Sequence, residues 1–324
     1  MIPTPASGSF TYPAGLLHLE RTFANGQCFR WRPDPAQPTP MEGEEHWQGI
    51  AGGQVIWLQR RAAPSPDGED RFTYRLAPGL GSPAADGAFL WDYLRLDLDL
   101  EPIYADWRAR DPYLGRLTER FRGLRLLRQD PEECLLSFVC STANAIPRIQ
   151  RALGHLARLG GAAVATEGRT TYYRFPPAAV IAALAPEQVA AATGLEWRAA
   201  NVVKVAQQVA ARPPGWLLGL RAANYATAHG ALTALSGVGA KIADCVCCFA
   251  LDKDAAVPVD THVFQLTRDR YMAQIRGKSL TPALYGTIVQ WWRDKFGPYA
   301  GWAQQYLFYD HLLEARRTGR SPSA

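Results

Sequence analysis

The sequence contains few lysines, and one of them lies where an amine can act as a nucleophile. Lysines and arginines together number 35 among the 324 residues, and only five are lysines. Arginine is almost always charged, whereas lysine can lose its proton and attack an electrophilic carbon. Lys241 ends the segment LSGVGAK (235–241), at the predicted start of a helix, where the positive end of the helix dipole disfavours an added cation. This position favours a neutral, nucleophilic amine.

A carboxylate that can assist such an amine lies nineteen residues further along the chain. Asp260 follows the apolar extended run AVPV and precedes THVFQL, so we expect it to cap a helix. Amides at a helix start keep a carboxylate ionised, and an ionised carboxylate stabilises a sugar that becomes cationic as its glycosidic bond breaks. Each residue taken singly also fits a structural role, Asp260 as a cap and Lys241 as a solvated phosphate contact.

The turn before Lys241 has the composition of a phosphate-binding hairpin. Gly237 and Gly239 flank Val238 and permit a tight turn with outward-facing amides. Such amides at a helix start bind a phosphate oxygen, which grips a DNA backbone without reading bases. The turn alone fits an ordinary connection between two core helices equally well. Helical spacing also places Cys245 and Cys248 on the face of Lys241, which predicts a common pocket.

The elements that must position these residues change in character along the chain. Between about residues 15 and 76, short extended segments alternate with turn-rich stretches and predict an antiparallel sheet, the segments being GLLHLERTF, QCFRW, HWQGI, QVIWLQR and RFTYRL. From about Phe89 the hydrophobic period is helical. The predicted fold is α+β, with a sheet domain over residues 1–88, a helical domain over 89–316 and a disordered tail over 317–324.

Composition excludes several classes of protein. With 48% hydrophobic residues the chain is globular, and no run approaches the roughly 18 apolar residues of a spanning helix. The amino terminus lacks a secretory signal pattern. The six cysteines lack the spacing of a disulfide framework, which indicates a reducing cytoplasm. A net charge of +5 is compatible with a polyanionic partner but does not establish one.

Two segments around the candidate pair resemble the helix-hairpin-helix DNA glycosylase superfamily, LSGVGAKIADC and VPVDTH. Further segments are similar to eukaryotic-type 8-oxoguanine DNA glycosylase/lyases, in the same order over nearly the whole chain: NGQCFRW, LRLLRQDPEECLLSFVCS, ALDKDAAVPVDTH and FGPYAGWAQQYLF. In that superfamily, lysine at the helix start marks bifunctional members. The resemblance implies a small sheet domain followed by two helical subdomains, with the active site in the cleft between them.

The resemblance also implies a reaction in base excision repair. Lys241 attacks C1′ of a nucleotide flipped out of the duplex, expels 8-oxoguanine and forms a Schiff base that can go on to β-elimination. Asp260 stabilises the developing positive charge and assists proton transfers. Ring-opened formamidopyrimidine-guanine is a further expected substrate.

Four residues match the family's base pocket. The carbonyl of Gly26 matches the acceptor for the N7 proton that distinguishes 8-oxoguanine from guanine. Cys245 and Phe308 match residues on opposite faces of the base, and Gln304 matches the contact to its Watson–Crick edge. Without the resemblance, the sequence predicts an Asn-Gly hairpin turn at Gly26, a core position for Phe308 and a surface position for Gln304.

Other residues match contacts to the DNA, and one departs from the family pattern. His262 and the hairpin match contacts to phosphate, Trp197 matches a tyrosine wedge, and Arg148 and Arg198 match contacts to the cytosine opposite the lesion. The family's asparagine at that site is Ala143 here, with Asn144 beside it. A good base contact is worth about 1–3 kcal/mol, so we expect a weaker preference for cytosine.

Two other functions fit parts of the sequence. A non-enzymatic module could hold DNA with the hairpin, and a glycosylase for alkylated bases would use Asp260 with water, but the combination of Lys241 with Asp260 favours a lysine-dependent enzyme. No four-cysteine cluster follows Cys248 and the sequence offers no metal site, so we expect no iron–sulfur cluster. The resemblance implies a single further ligand, a monovalent cation at hairpin carbonyls near Val238. We expect a monomer that binds double-stranded DNA and no membrane. The absence of a basic nuclear-targeting cluster favours a bacterial, nucleoid-associated location.

Overall fold

A computed structural model describes residues 6–37, 39–77 and 87–318 of the chain. An antiparallel sheet comes first and helices follow, which confirms the predicted α+β class. The strands are β1 (Ala6–Pro13), β2 (Trp31–Pro33), β3 (Glu44–Ala51), β4 (Gln54–Arg61), β5 (Glu69–Leu76), β6 (Ala163–Glu167) and β7 (Thr170–Tyr173).

The helices surround a core that continues into the sheet. They are α1 (Leu19–Phe23), α2 (Gly87–Tyr93), α3 (Leu100–Arg110), α4 (Pro112–Arg120), α5 (Pro131–Cys140), α6 (Ile146–Gly160), α7 (Ala178–Ala182), α8 (Pro186–Thr193), α9 (Arg198–Ala210), α10 (Trp216–Gly219), α11 (Tyr225–Thr233), α12 (Ala240–Ala250), α13 (Thr261–Arg270), α14 (Pro282–Phe296) and α15 (Ala300–Arg317). Several begin with proline in the first turn and an aspartate cap, as α4 and α5 do, because proline needs no hydrogen-bond partner there.

The large sheet has five strands in the order β1-β5-β4-β3-β2, all antiparallel. Its core face is aromatic. Phe23 stacks on Trp31 with ring centroids 4.0 Å apart, and Trp31 lies against Gly49 on the paired strand. A Cβ atom at Gly49 would lie 2.2 Å from the Trp31 ring, so glycine is required there.

The start of the sheet differs from the prediction. β1 lies before the predicted first strand, and the second half of GLLHLERTF forms α1. The cap of α1 explains the difference, because the amides of Leu19 and Glu20 donate to the carboxylate of Glu45 on β3 at 3.2 and 2.7 Å. The amides at the start of α1 therefore find their hydrogen-bond acceptor about 25 positions away, and a local pattern does not reveal such a partner.

A second difference is the hairpin β6–β7, which interrupts the region predicted as helical. Gln48 of the large sheet donates to the Tyr172 hydroxyl at 2.7 Å, and Arg75 pairs with Glu167 at 2.7 Å. Trp57 packs edge-on against Tyr172 with ring centroids 6.0 Å apart. The hairpin therefore connects the helical region to the sheet.

The predicted limits of the domains stay a prediction, and the segment around the first limit, 78–86, lies outside the described residues. The predicted tail begins too early. α15 includes Arg317, with Thr318 as its C-cap, and residues 319–324 are not described. Within the described ranges, no helix is both long and apolar enough to cross a membrane.

Candidate active site

The turn between α11 and α12 forms the predicted hairpin at the start of a helix. Gly237 has φ +101°, and a Cβ atom there would lie 1.9 Å from Asn201 Oδ1, so only glycine fits. Gly239 is the N-cap of α12. In the described part of the chain, the amides of Gly239, Ala240 and Lys241 have no hydrogen-bond partner. The hairpin thus presents free donors at the positive end of a helix dipole.

Two side chains of α9 hold this hairpin in place. Gln208 accepts from the amide of Ser236 at 2.8 Å and donates to its carbonyl at 3.0 Å. Asn201 donates to the carbonyl of Gly237 at 3.2 Å. The sequence analysis missed this support. Its only signal is that Asn201 and Gln208 are seven residues apart among buried valines, on one helical face.

Lys241 is half-buried in the first turn of α12, and its amine lies 5.1 Å from the centroid of the Phe138 ring. Cys245, one turn further, is buried, and burial raises the pKa of its thiol to about 12. The charge of Lys241 acts to lower that pKa and the charge of Asp260 acts to raise it, so the thiol lies within electrostatic range of both groups. Cys245 is therefore a neutral, apolar wall beside the amine.

Cys248 does not share this pocket, contrary to the prediction. It is buried behind α12, and a Cβ atom at Gly301 of α15 would lie 2.7 Å from its sulfur. α15 packs so closely there that Cys248 fills the core. The face of α12 that carries these residues is therefore divided: Lys241 and Cys245 belong to the candidate site, and Cys248 packs against α15.

Asp260 is the N-cap of α13, and its Oδ1 accepts from the Val263 amide at 2.8 Å. The expected capping role is thus present. The carboxylate is half-buried, and its charge acts on the pKa of both Cys245 and His311. The Asp260 carboxylate therefore lies within electrostatic range of Cys245 on α12 and of His311 on α15.

Gly26 and Phe308 lie against each other. Gly26 has φ +86°, and a Cβ atom there would lie 3.4 Å from both the Phe308 ring and the Ile146 side chain. Gly26 belongs to the loop between α1 and β2, not to a strand hairpin as the local pattern predicts. Gln305, which the sequence analysis did not single out, donates to the Asn25 carbonyl at 2.7 Å and fastens this loop to α15.

Gln304 is only 3% exposed, whereas its local pattern predicts a surface position. Its Oε1 atom has no hydrogen-bond partner among the described residues. Phe308 lies one helical turn further and contacts Gly26. A buried acceptor without a donor costs free energy, and a ligand with an N–H group would remove that cost.

His262, in the first turn of α13, is half-buried beside two rings. It lies edge-on to Phe308, with ring centroids 5.9 Å apart, and to His311, with centroids 5.5 Å apart. Burial and the neighbouring His262 lower the pKa of His311. Phe308 thus lies against both Gly26 and His262, one helical turn beyond Gln304. Lys241 and Asp260, which is two residues before His262, both act on Cys245.

A second group of predicted residues lies where α5, α6 and α9 begin or end. Arg198 is buried, and its guanidinium donates to the carbonyls of Thr142 and Ala143, both at 2.6 Å. Ala143 has φ +47°, an unusual conformation for a residue with a side chain. Arg198 therefore holds this strained loop, a role that the sequence did not predict.

The other members of that group are more accessible. Trp197 is 62% exposed and stacks on the guanidinium of Arg198, 4.5 Å from the ring centroid. Arg148 is exposed and pairs with Glu196 at 2.8 Å. Asn144 donates to the Cys140 carbonyl at 3.3 Å. Trp197 and Arg148 are thus available to a partner at the surface.

The fold and this geometry define a helix-hairpin-helix protein with a lysine at the hairpin and an aspartate cap beside it. The family model "8-oxoguanine DNA glycosylase, N-terminal domain" matches residues 9–135. The N-glycosylase/DNA lyase OGG1 of Arabidopsis thaliana is 34% identical over 308 residues, which covers 93% of this chain and 80% of the relative. The N-glycosylase/DNA lyase of Saccharomyces cerevisiae is 29% identical, and the match covers 90% of this chain and 82% of the relative.

Solved structures agree with these relatives. MBOgg1 in complex with a low-affinity DNA ligand has a TM-score of 0.77 at 27% identity, over 97% of this chain and 96% of the other. The 8-oxoguanine glycosylase/lyase of Clostridium acetobutylicum was solved in complex with DNA that has cytosine opposite 8-oxoguanine. Its TM-score is 0.75 at 25% identity, over 98% of this chain and 99% of the other. The chain belongs to the 8-oxoguanine DNA glycosylase/lyase family.

Proposed function

We propose that this protein excises 8-oxoguanine from double-stranded DNA and then cleaves the strand, as a bifunctional glycosylase and lyase in base excision repair. The observation that carries the proposal is that the charges of Lys241 and Asp260 both act on the buried thiol of Cys245, and that Gln304 holds a buried acceptor with no partner among the described residues. A module that only holds DNA needs none of these three features.

Lys241 is the nucleophile in this proposal. Its neutral amine attacks C1′, the bond from C1′ to N9 breaks, and the base leaves with the bonding electrons and takes up a proton. The C1′–O4′ bond then breaks, O4′ leaves with the bonding electrons and is protonated, and the nitrogen lone pair forms a protonated Schiff base with C1′. Loss of a proton from C2′ breaks the C3′–O bond, and this β-elimination releases the 3′ phosphate. Asp260 is held by the Val263 amide and stabilises the cationic sugar as the bond breaks.

The base lies between Cys245 and Phe308 in this proposal. A neutral thiol and an aromatic ring both suit the faces of a purine, because neither requires a hydrogen-bond partner. The Gly26 carbonyl accepts a hydrogen bond from N7–H of 8-oxoguanine, and Gln304 Oε1 accepts a hydrogen bond from an N–H group of the Watson–Crick edge. The pocket thus selects the lesion by a donor that guanine lacks.

The DNA itself is held by groups that read no sequence. The free amides of the hairpin bind a phosphate, and His262 binds another near the flipped nucleotide. Trp197 is exposed and aromatic, which suits insertion into the base stack left by flipping. Arg148, once released from Glu196, reaches toward the orphaned base.

Trapping with borohydride tests the reaction. Reduction of a Schiff base on a duplex that contains 8-oxoguanine should capture the wild-type protein, and Lys241→Gln should abolish capture. Lys278→Gln, which changes an exposed lysine in a loop, serves as the control and should be captured as wild type. Excision without capture would support the alkylated-base type of enzyme instead, and binding without excision would support a DNA-holding module.

The opposite base gives a finer prediction. Ala143 offers no side-chain hydrogen bond, and Arg198 is already bonded to the 142 and 143 carbonyls. We therefore propose that discrimination against the wrong opposite base is reduced by about tenfold or more relative to a site with all three contacts. Single-turnover excision opposite each of the four bases measures it, and an exclusive preference for cytosine contradicts it.

Other expectations stay part of the proposal. Ring-opened formamidopyrimidine-guanine has the size and edge groups for the same pocket, and the protein acts as a monomer in a bacterial cytoplasm, associated with the nucleoid. A monovalent cation at the hairpin would use backbone carbonyls. Those of Ser236 and Gly237 already accept hydrogen bonds from Gln208 and Asn201, which leaves Val238 as the free carbonyl there. Across the described residues, no three His, Cys, Asp or Glu side chains are grouped to hold a metal ion.

A further inference from the structure

A buried carboxylate lies behind the candidate nucleophile. Asp244 is three residues after Lys241 on α12 and is 0% exposed. Tyr225 donates to its Oδ1 at 2.7 Å and Tyr285 donates to its Oδ2 at 2.5 Å. His229 lies 3.9 Å from the same carboxylate. Burial raises the pKa of Asp244, although these hydrogen bonds act to lower it.

Tyr285 also contacts the segment that leads to Asp260. Its hydroxyl accepts a hydrogen bond from the Val259 amide at 3.3 Å and lies 3.4 Å from the Val257 carbonyl. Val259 immediately precedes Asp260. One hydroxyl from α14 thus joins α12 to the extended segment before α13.

The two tyrosines differ in this respect. Tyr225 comes from α11, on the other side of the hairpin. Its hydroxyl donates to Asp244, the Arg293 guanidinium lies 4.0 Å from its ring centroid, and it has no hydrogen bond to the Val259 amide among the described residues. Tyr285 forms a continuous chain from Asp244 through its hydroxyl to the Val259 amide. That chain begins within one helical turn of Lys241 and ends one residue before Asp260, and α12 and α13 have no direct hydrogen bond among the described residues.

We propose that Tyr285 is a positioning residue, which sets the separation between the Lys241 amine and the Asp260 carboxylate by joining Asp244 to Val259. The inference rests on the proposed function, because it assigns those two groups to the reaction. Tyr285 touches no substrate. Its removal should leave DNA binding unchanged and slow the chemical step, since a misplacement of about 1 Å between reacting groups can cost about a hundredfold in rate.

The matched variants are Tyr285→Phe and Tyr225→Phe. Each variant removes one hydroxyl that donates to Asp244, so in both the Asp244 carboxylate loses one hydrogen bond. Only the first also frees the Val259 amide. Two quantities should be measured for each: the single-turnover excision rate at saturating 8-oxoguanine duplex, and the affinity for a duplex with an uncleavable tetrahydrofuran abasic analogue.

We expect Tyr285→Phe to lower the excision rate about ten- to hundredfold with unchanged affinity, and Tyr225→Phe to stay within about threefold of wild type in both. Equal slowing by the two variants, or wild-type rates in both, overturns the inference. A fall in affinity that matches the fall in rate also overturns it, because it indicates general loosening of the fold.

Two measurements keep the test decisive. Thermal unfolding of each variant sets an assay temperature at which it is folded. If Tyr285→Phe does not fold, Asp244→Asn replaces it, because the amide keeps the size of the side chain but weakens the same chain of bonds. Its rate should fall while its affinity holds, and a wild-type rate overturns the inference. If wild-type protein itself excises nothing, the proposed function fails as well, an outcome distinct from the others.

Discussion

Gln304 and Gln305 are neighbours on α15 with opposite hydrogen-bonding situations. Both are buried, but Gln305 is bonded to the Asn25 carbonyl and Gln304 has an acceptor that no described group satisfies. Adjacent residues on a helix point about 100° apart, so one can fasten a loop while the other lines a pocket. The same side chain therefore stabilises the fold at one position and prepares a binding site at the next.

Replacing Gln304 by leucine should stabilise the free protein and impair excision. The variant removes an unpaired buried acceptor, which we expect to add about 1 kcal/mol to the free energy of unfolding, and it removes a contact to the base, which should lower kcat/KM about tenfold. Gln305→Leu is the matched control and should lose about 1–3 kcal/mol, since it leaves the Asn25 carbonyl unpaired. Urea unfolding and single-turnover excision measure these effects. Similar stability changes in the two variants would contradict this account.

The hairpin and α9 are held together as one structural unit, which we propose binds the DNA backbone. The hairpin presents free amides, but its conformation depends on Gln208 and Asn201 of the neighbouring helix. Gly237 in turn must be glycine because Asn201 lies where a Cβ atom would be. The proposed phosphate site therefore depends on two elements that are about thirty residues apart in sequence.

Gln208→Ala should weaken DNA binding without much change in stability. The hairpin is exposed, so water can replace the lost bonds, but the loop loses its fixed conformation. We expect a loss of affinity of about three- to tenfold for undamaged duplex, because the hairpin reads only the backbone. Fluorescence anisotropy measures it. Gln207→Ala, whose side chain bonds to the Ala182 carbonyl away from the hairpin, should bind as wild type, and equal losses would contradict the assignment.

The carboxylate of Glu45 caps the start of α1, so the stability that this cap contributes depends on pH. Burial raises the pKa of Glu45, but His18, the Glu20 amide and Arg60 outweigh it and hold the pKa at about 2, below its ordinary value of 4.5. The unfolded state therefore binds more protons between these values. The stability that Glu45 contributes is present above about pH 4.5 and is lost as the pH falls toward 2.

Glu45→Gln should therefore lower the free energy of unfolding by about 2–3 kcal/mol at neutral pH. The difference between wild type and variant should shrink as the pH is lowered to about 3, because the Glu45 carboxylate of the unfolded state is then protonated while that of the folded state is still largely ionised. Urea unfolding at both pH values tests this. Glu42→Gln, which changes an exposed carboxylate nearby, should show no such pH-dependent difference.

The sheet and the helices share one core across the whole molecule. Arg125 is fully buried and donates to the carbonyls of Leu16, Leu98 and Arg95 and to the Tyr12 hydroxyl. These partners come from the sheet region and from the first helices after it. A guanidinium with five donors suits such a junction, and the shared core predicts that both regions unfold together.

Arg125→Met should destabilise the whole molecule. Methionine fills a similar volume but leaves buried carbonyls without donors, so we expect a loss of about 3 kcal/mol or more. Far-ultraviolet circular dichroism reports mainly on the helices, and pulse-labelled amide hydrogen exchange of peptides from β3 and β4 reports on the sheet. The two signals should change at the same denaturant concentration in wild type and variant. Separate transitions would show that the regions unfold independently.

The sequence by itself determined the order of sheet and helices and the residues of the hairpin. These features depend on neighbours in sequence: alternating or helical periodicity, two glycines around Val238, and an aspartate before a helix. The caps at Gly239 and Asp260 lie where the pattern predicts because capping is a local interaction. The resemblance to a family then indicated which local features belong to one site.

Only the tertiary structure decided how distant residues meet. The sequence pattern missed β1 and predicted the α1 segment as extended, because their partners, β5 and Glu45, lie far along the chain. Gln304 has a surface pattern but is buried, since packing around α15 and not the sequence of α15 sets its exposure. The link from Asp244 through Tyr285 to Val259 joins three segments that no periodicity connects. Long-range hydrogen bonds and packing leave little trace in a single sequence, because each partner there looks like an ordinary polar or core residue.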